Sequence, residues 1–418
     1  MEKIKNVYCD IISIGDELLI GQTINTNASW LGMRCNQEGV RIRRIKTIPD
    51  SKEDILNEFQ DSMEQADIVL VTGGLGPTKD DITKKTICEF FDDHLVVDEE
   101  TLNRVQNFFA KRKLPMLEVN TAQALVPSQC RVIPNHQGTA PGMWFEKNGK
   151  VLVSMPGVPF EMKGLMDQYV FDWIKAQFQM PIIIHQTLMT IGVGESYIAD
   201  QISSIEDQMI ESGISLAYLP SPGVVKLRLS SYDQANGAEQ INGFAAKIKS
   251  ILGDVLFSIE EKSIYQYVHE QLLEARSTLS IAESCTGGKL QSHFTDIPGC
   301  SQYFRGGIVP YDAKWKVEML GIDPSVLDKN DVVSEAIAMA MAEQCKEKFQ
   351  STYALATTGY AGPESQNVDI PVGTICIAVA GPKGTTVKTL QLGNNRERNI
   401  ETTCLQVTNL LRLNILNK

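Results

Sequence analysis

Apolar residues along this chain gather in short runs that end in glycine, acid or hydroxyl clusters, with helix-spaced apolar positions between them. Val7 to Ile14 is one such run, closed by Gly15-Asp16-Glu17, and Ile68 to Thr72 is another, closed by Gly73-Gly74. Runs of this length bounded by turn residues predict buried strands. Helical spacing covers Asn27 to Cys35, Glu99 to Lys113, Asn120 to Leu125 and Phe160 to Phe178. A further helix is expected to begin near Thr78, with Asp80 and Asp81 in its first turn, where acids favour the dipole. Strands are predicted near Met143 and over Val151 to Met155. The alternation predicts an α/β fold with a parallel or mixed sheet covered on both faces.

Met180-Pro181 interrupts this pattern. A shorter α+β module follows: a strand over Ile182 to Ile191, a helix over Glu195 to Ile210, a hairpin across Pro220-Ser221-Pro222-Gly223, and a helix over Gly237 to Leu252. A third unit starts at Ser263 and returns to α/β alternation, closing on a long helix from about Arg396. Three domains are therefore expected, at 1–176, 181–258 and 262–418, as suits 418 residues.

Composition narrows the class. Hydrophobic content of 43% with 22% charge is that of a globular protein. A net charge of −12 and the lack of a basic patch argue against nucleic-acid binding. Nine cysteines without C-x-x-C spacing, and no signal-peptide pattern, predict a reduced, cytoplasmic chain. Apolar runs are strand-sized, so no membrane span is expected.

Candidate chemistry concentrates after Leu279. An apolar run ends in Glu283-Ser284-Cys285-Thr286-Gly287-Gly288, and a helix pattern follows. Such a turn can present backbone N–H groups to a phosphate. It is not a P-loop: Leu290 follows Lys289 where Ser or Thr is required. Ser301, Tyr311 and Lys316 downstream supply what an amide-cleaving serine enzyme needs without histidine. In the first unit, Asp16, Glu17 and Asp81 are candidate oxygen ligands for a hard divalent cation, beside the Gly73-Gly74 turn.

AESCTGG, PGCSQYF, GGIVPYDAKWK, TTGYAGP and PVGTICIA together resemble the C-terminal domain of CinA proteins, which is similar to nicotinamide mononucleotide amidohydrolase. The resemblance implies Ser301 as nucleophile, Lys316 as general base and Tyr311 as its assistant. It also implies Ser284, Thr286, Gly287 and Gly288 as nucleotide and oxyanion contacts and Arg396 as a phosphate partner, with no cofactor. Three departures stand out: Asp312-Ala313 after Tyr311, Glu364-Ser365-Gln366-Asn367 after TGYAGP, and Asn394-Asn395 before Arg396.

SIGDELLIGQTINTNASWL, VTGGLGPTKDDIT and MPGVPFEM resemble the α/β/α molybdopterin-binding-like domain at the N-terminus of the same family. That likeness implies hydrolysis of ADP-ribose with magnesium or a similar divalent metal. Asp16, Glu17, Asn27, Gly73, Gly74 and Asp81 are then the site residues. The middle module is similar to the family's KH-like domain, but lacks a GXXG loop with basic neighbours, and is expected to act as a spacer and homodimer element. Two other readings stay open: a molybdopterin-binding or adenylyltransferase-like front domain, and a non-enzymatic competence or DNA-repair factor.

Overall fold

A computed structural model describes residues 6–76, 82–180, 183–232 and 236–416. They form two compact units, one holding residues up to Ile184 with Tyr232–Gly237, the other His185–Ser231 with Ala238 onward.

The first unit contains β1 (Tyr8–Ile14), β2 (Arg41–Ile48), β3 (Ile68–Thr72), β4 (Leu95–Val97), β5 (Leu125–Pro127), β6 (Arg131–Ile133), β7 (Gly142–Lys147) and β8 (Lys150–Met155). Six of them make one mixed sheet in the order β2-β1-β3-β8-β7-β6, and β4 pairs with β5 apart. β1 runs parallel to β2 and β3, and β3 to β8. The period-two alternation of β3 divides its side chains between two cores. Ile68 and Leu70 pack with Leu31 and Met162 on one face, while Val69 and Val71 pack with Ile55 and Phe59 on the other.

Because β1, β3 and β8 are parallel, the turns after them meet at one edge of the sheet, where α/β proteins bind ligands. Gly73 is required there. Its φ is +107°, and a Cβ would run into the Ile14 carbonyl. A Cβ on Gly157 would sit 3.5 Å from Gly73 Cα, so the turns are in contact.

Some expectations shift. The helix placed near Thr78 is described from Thr83 to Phe91, and Thr78, Asp80 and Asp81 lie outside the described residues. Asn120 to Leu125 is not one helix: a short turn ends at Thr121, a 3-10 turn covers Ala122–Ala124, and β5 begins at Leu125. Lys84 Nζ donates to the Gln123 and Leu125 carbonyls at 2.9 and 3.0 Å, giving these carbonyls a partner outside any helix.

In the second unit the middle module comprises β9 (Ile183–Ile191), β10 (Ile214–Ser221), β11 (Val224–Tyr232) and β12 (Leu256–Ser258), ordered β10-β11-β9-β12, with helices Glu195–Glu211 and Gly237–Leu252. Next come β13 (Leu279–Glu283), β14 (Phe304–Ile308), β15 (Tyr353–Gly359), β16 (Thr374–Gly381) and β17 (Gly384–Gln391), ordered β14-β13-β15-β16-β17. β13 is parallel to both neighbours, and the remaining pairings are antiparallel. Helix Glu335–Phe349 covers one face through Ile337 and Met341, and helix Arg396–Leu416 the other through Val407 and Leu411. That second core also takes in Met189, Ile191 and Phe257. The middle module is thus part of the C-terminal body rather than a spacer.

No helix among the described residues is long and apolar enough to cross a membrane.

Candidate active site

The chain leaves β13 through a turn that its own side chains build. Glu283 is fully buried and accepts from Thr286 Oγ1 (2.7 Å), Gly288 N (2.8 Å), Leu290 N (3.1 Å) and Gln291 N (2.9 Å). These last donors include the first free N–H groups of helix Lys289–Thr295, which a helix otherwise leaves for an anion. Gly287 N donates to the Ser284 carbonyl at 3.2 Å. Of the groups expected as nucleotide contacts, the buried Thr286 side chain and the Gly287 and Gly288 N–H groups are engaged inside the turn.

Ser284 faces the other way, into a cleft. Its Oγ accepts a 3.2 Å hydrogen bond from Lys316 Nζ, which also donates to the Pro310 carbonyl at 3.0 Å. Lys316 comes from helix Ala313–Glu318, and only 1% of it is exposed. Burial pushes its ammonium below the usual lysine range, with the Asp312 charge acting in the opposite direction. A lysine shifted this way and touching a serine hydroxyl has the two properties of a general base: reach and a lowered pKa. The neighbouring Cys285 does not compete as nucleophile, since burial pushes its thiol up to about 12.

Ser301 is not part of this arrangement. It lies exposed on the 3-10 turn Cys300–Gln302, just before β14. The parallel register pairs Leu279 with Phe304 and Ala282 with Ile308. Ser301 therefore sits at the edge where β13 begins and Ser284 at the edge where it ends, with the roughly 16 Å rise of a five-residue strand between them. Sheet register thus keeps Ser301, the expected nucleophile, away from Lys316, and Ser284 takes the position beside it.

The cleft has a volume of about 430 Å³, in the range of small-molecule sites. Arg396, the first residue of helix Arg396–Leu416, donates to the Gly362 carbonyl at 2.7 Å and to the Tyr311 hydroxyl at 3.3 Å. Both side chains line the cleft and are exposed to a ligand. The segment that departs from the family pattern forms one wall. Asn367 Nδ2 and Tyr360 OH donate to Asp331 at 2.8 and 3.3 Å, and Glu364 and Gln366 line the cleft. Asp331 carried no sequence signal that singled it out.

The first unit holds a second cleft of about 470 Å³ at the meeting of its three turns. Glu17, Asn27, Gly73 and Gly74 line it, whereas Asp16 does not; the Asp16 N–H donates to Asp50 at 3.3 Å. Asn27 Nδ2 donates to the Gly157 carbonyl at 2.7 Å. Among the described residues its buried Oδ1 and the buried Gln123 Oε1 have no hydrogen-bond partner. Two acids escaped the sequence reading, Asp50 and Glu161. Burial raises the Glu161 carboxyl above the usual range, and Asn135 Nδ2 holds it at 2.6 Å. Among the described residues no three His, Cys, Asp or Glu side chains gather as a metal cage. Among the described residues, Glu17, Asp50 and Glu161 are the acids that line the cleft.

Comparison with known proteins matches every part of this layout. Residues 261–415 match the CinA C-terminal domain, residues 10–176 the "Probable molybdopterin binding domain", and residues 185–258 the damage-inducible protein CinA KH domain. A CinA-like protein of Flavobacterium psychrophilum is 43% identical over 97% of this chain and 98% of its own length. A CinA-like protein of Cytophaga hutchinsonii is 42% identical over 97% and 98%. The crystal structure of CinA from Thermoplasma acidophilum is 33% identical, covering 40% of this chain and 98% of that one at a TM-score of 0.37.

Proposed function

The chain belongs to the CinA family, and we propose on that premise that its C-terminal cleft hydrolyses the carboxamide of nicotinamide mononucleotide to nicotinic acid mononucleotide and ammonia. The observation that carries this reading is the hydrogen bond between buried Lys316 and Ser284. Neutral Lys316 takes the Ser284 proton as Oγ attacks the carboxamide carbon, then passes it to the departing nitrogen. Water, activated by the same amine, releases the acid from the acyl-serine. In this reading Arg396 and the Tyr311 hydroxyl, bonded to each other in the cleft, hold the 5′-phosphate.

For the first unit we propose hydrolysis of ADP-ribose to AMP and ribose 5-phosphate. Support comes from a ligand-sized cleft with two buried amide oxygens that have no partner among the described residues, and from the carboxylates of Glu17 and Asp50. A divalent cation held by these acids would shield pyrophosphate charge. Ammonia release from nicotinamide mononucleotide in the presence of chelator, and AMP release from ADP-ribose only in its absence, is the expected pair of results. Silence of either assay with purified protein removes that half of the proposal.

A further inference from the structure

Glu283 makes no contact that the proposed reaction uses, yet its carboxylate accepts four hydrogen bonds. All four of its donors come from the eight residues that follow, and none is a cation. The same network extends into the sheet. Thr286 Oγ1 lies 3.0 Å from Thr357 Oγ1, Thr357 Oγ1 donates to the Cys285 carbonyl at 2.5 Å, and Ser284 N donates to the Thr357 carbonyl at 2.8 Å. Every residue from 283 to 286 is thus tied down from a buried side.

The turn needs such a tie. Thr286 has φ +124°, a region that β-branched residues avoid, and Gly287 and Gly288 follow at +63° and +99°. Backbone held in sparsely populated regions persists only where surrounding interactions over-determine it, and such strain gathers at functional sites. Successive side chains along extended backbone point to opposite sides. With Glu283 drawn under the helix N-terminus, Ser284 is aimed into the cleft at Lys316.

We propose that Glu283, acting through Thr286 and Thr357, is a positioning residue that fixes the Ser284 hydroxyl in its reactive geometry against Lys316. It also accepts the first N–H groups of helix Lys289–Thr295, tying the turn to the helix that follows. This inference rests on the assignment of Ser284 as nucleophile.

The test uses the full-length protein and two readouts: steady-state ammonia release, and the rate at which a small sulfonyl fluoride labels Ser284, located by peptide mass mapping. Glu283→Gln turns one acceptor into a donor facing N–H groups. It is expected to lower kcat by about ten- to a hundredfold, as misplaced reacting groups do. KM should change less than about twofold, and labelling should slow in parallel. Thr286→Val, which keeps the volume and loses the hydroxyl, should act in the same direction should Glu283→Gln fail to fold. Thr286→Ser should recover most of the loss. Wild-type kcat and labelling per folded molecule in both Glu283→Gln and Thr286→Val would reduce the network to a stabilising role and overturn the proposal. Absence of Ser284 labelling in the wild type would overturn it too. If the wild type labels at Ser284 yet releases no ammonia, the substrate reading fails, and the labelling comparison still decides the role of Glu283.

Discussion

Lys316 and Ser284 are joined by a 3.2 Å hydrogen bond although 32 residues separate them in the chain. The link exists because β13 and β14 run parallel and side by side, bringing the turn after each to the same edge of the sheet. Whatever follows Ile308 is therefore a neighbour of whatever follows Glu283.

The first prediction compares two serines. Ser284→Ala should reduce ammonia release by about 10³-fold or more, as removal of a serine nucleophile does. Ser301→Ala, altered at the opposite edge, should retain the wild-type rate. Steady-state ammonia assays on both variants decide between them, and loss of activity in Ser301→Ala would contradict the register argument.

A second concerns pH. Lys316 acts as a base only when unprotonated, so kcat/KM should rise with pH through the lysine's lowered pKa and level off above it. Asp312 opposes that lowering. Asp312→Asn should therefore move the rising limb to lower pH, and a pH–rate profile of both proteins measures the displacement.

The front cleft offers a third. The Glu161 carboxyl is raised by burial, so a role as carboxylate would make ADP-ribose hydrolysis fall as pH drops through a value above the ordinary range for glutamate. Glu161→Gln should remove that limb and lower the AMP release rate by about tenfold or more. Ammonia release should be unaffected, which makes it an internal control for folding.

The fourth is about stability. Asp10 is 1% exposed and is bound by Arg43 and, at 3.2 Å, by Arg44, while Arg44 also reaches Glu58 at 2.8 Å. Removing one member of a buried ion network leaves the others uncompensated. Asp10→Ala should cost about 3 kcal/mol in chemical denaturation of the first unit.

That network also explains what the sequence hid. β2, with Arg41, Arg43, Arg44 and Lys46, and the charged helix Lys52–Gln65 that supplies Glu58 and Asp61, had no apolar run to announce them. Their charges find partners only in three dimensions. Buried strands such as β3 were legible as unbroken apolar runs closed by glycine, and the helix Gly237–Leu252 by its helical apolar spacing. The residue types of the C-terminal site were legible as well, since AESCTGG and the Tyr311 to Lys316 stretch both line the cleft. Which serine faces the lysine was not, because chain spacing carries no information about which edge of a sheet a residue reaches. Nor could a run of hydroxyls and glycines reveal that its N–H groups already had an acceptor in Glu283.

The core shared by the middle module and the C-terminal sheet has a practical consequence. Met189, Ile191 and Phe257 pack with Val268, Leu279 and Val407, and the buried Arg412 donates to the Asp254 carbonyl at 2.6 Å. Residues 185 to 416 should then melt as one cooperative block. A fragment cut at residue 262 would carry a raw apolar scar and an Arg412 without its Asp254 acceptor, so truncations meant to isolate the C-terminal domain need the preceding module to stay soluble.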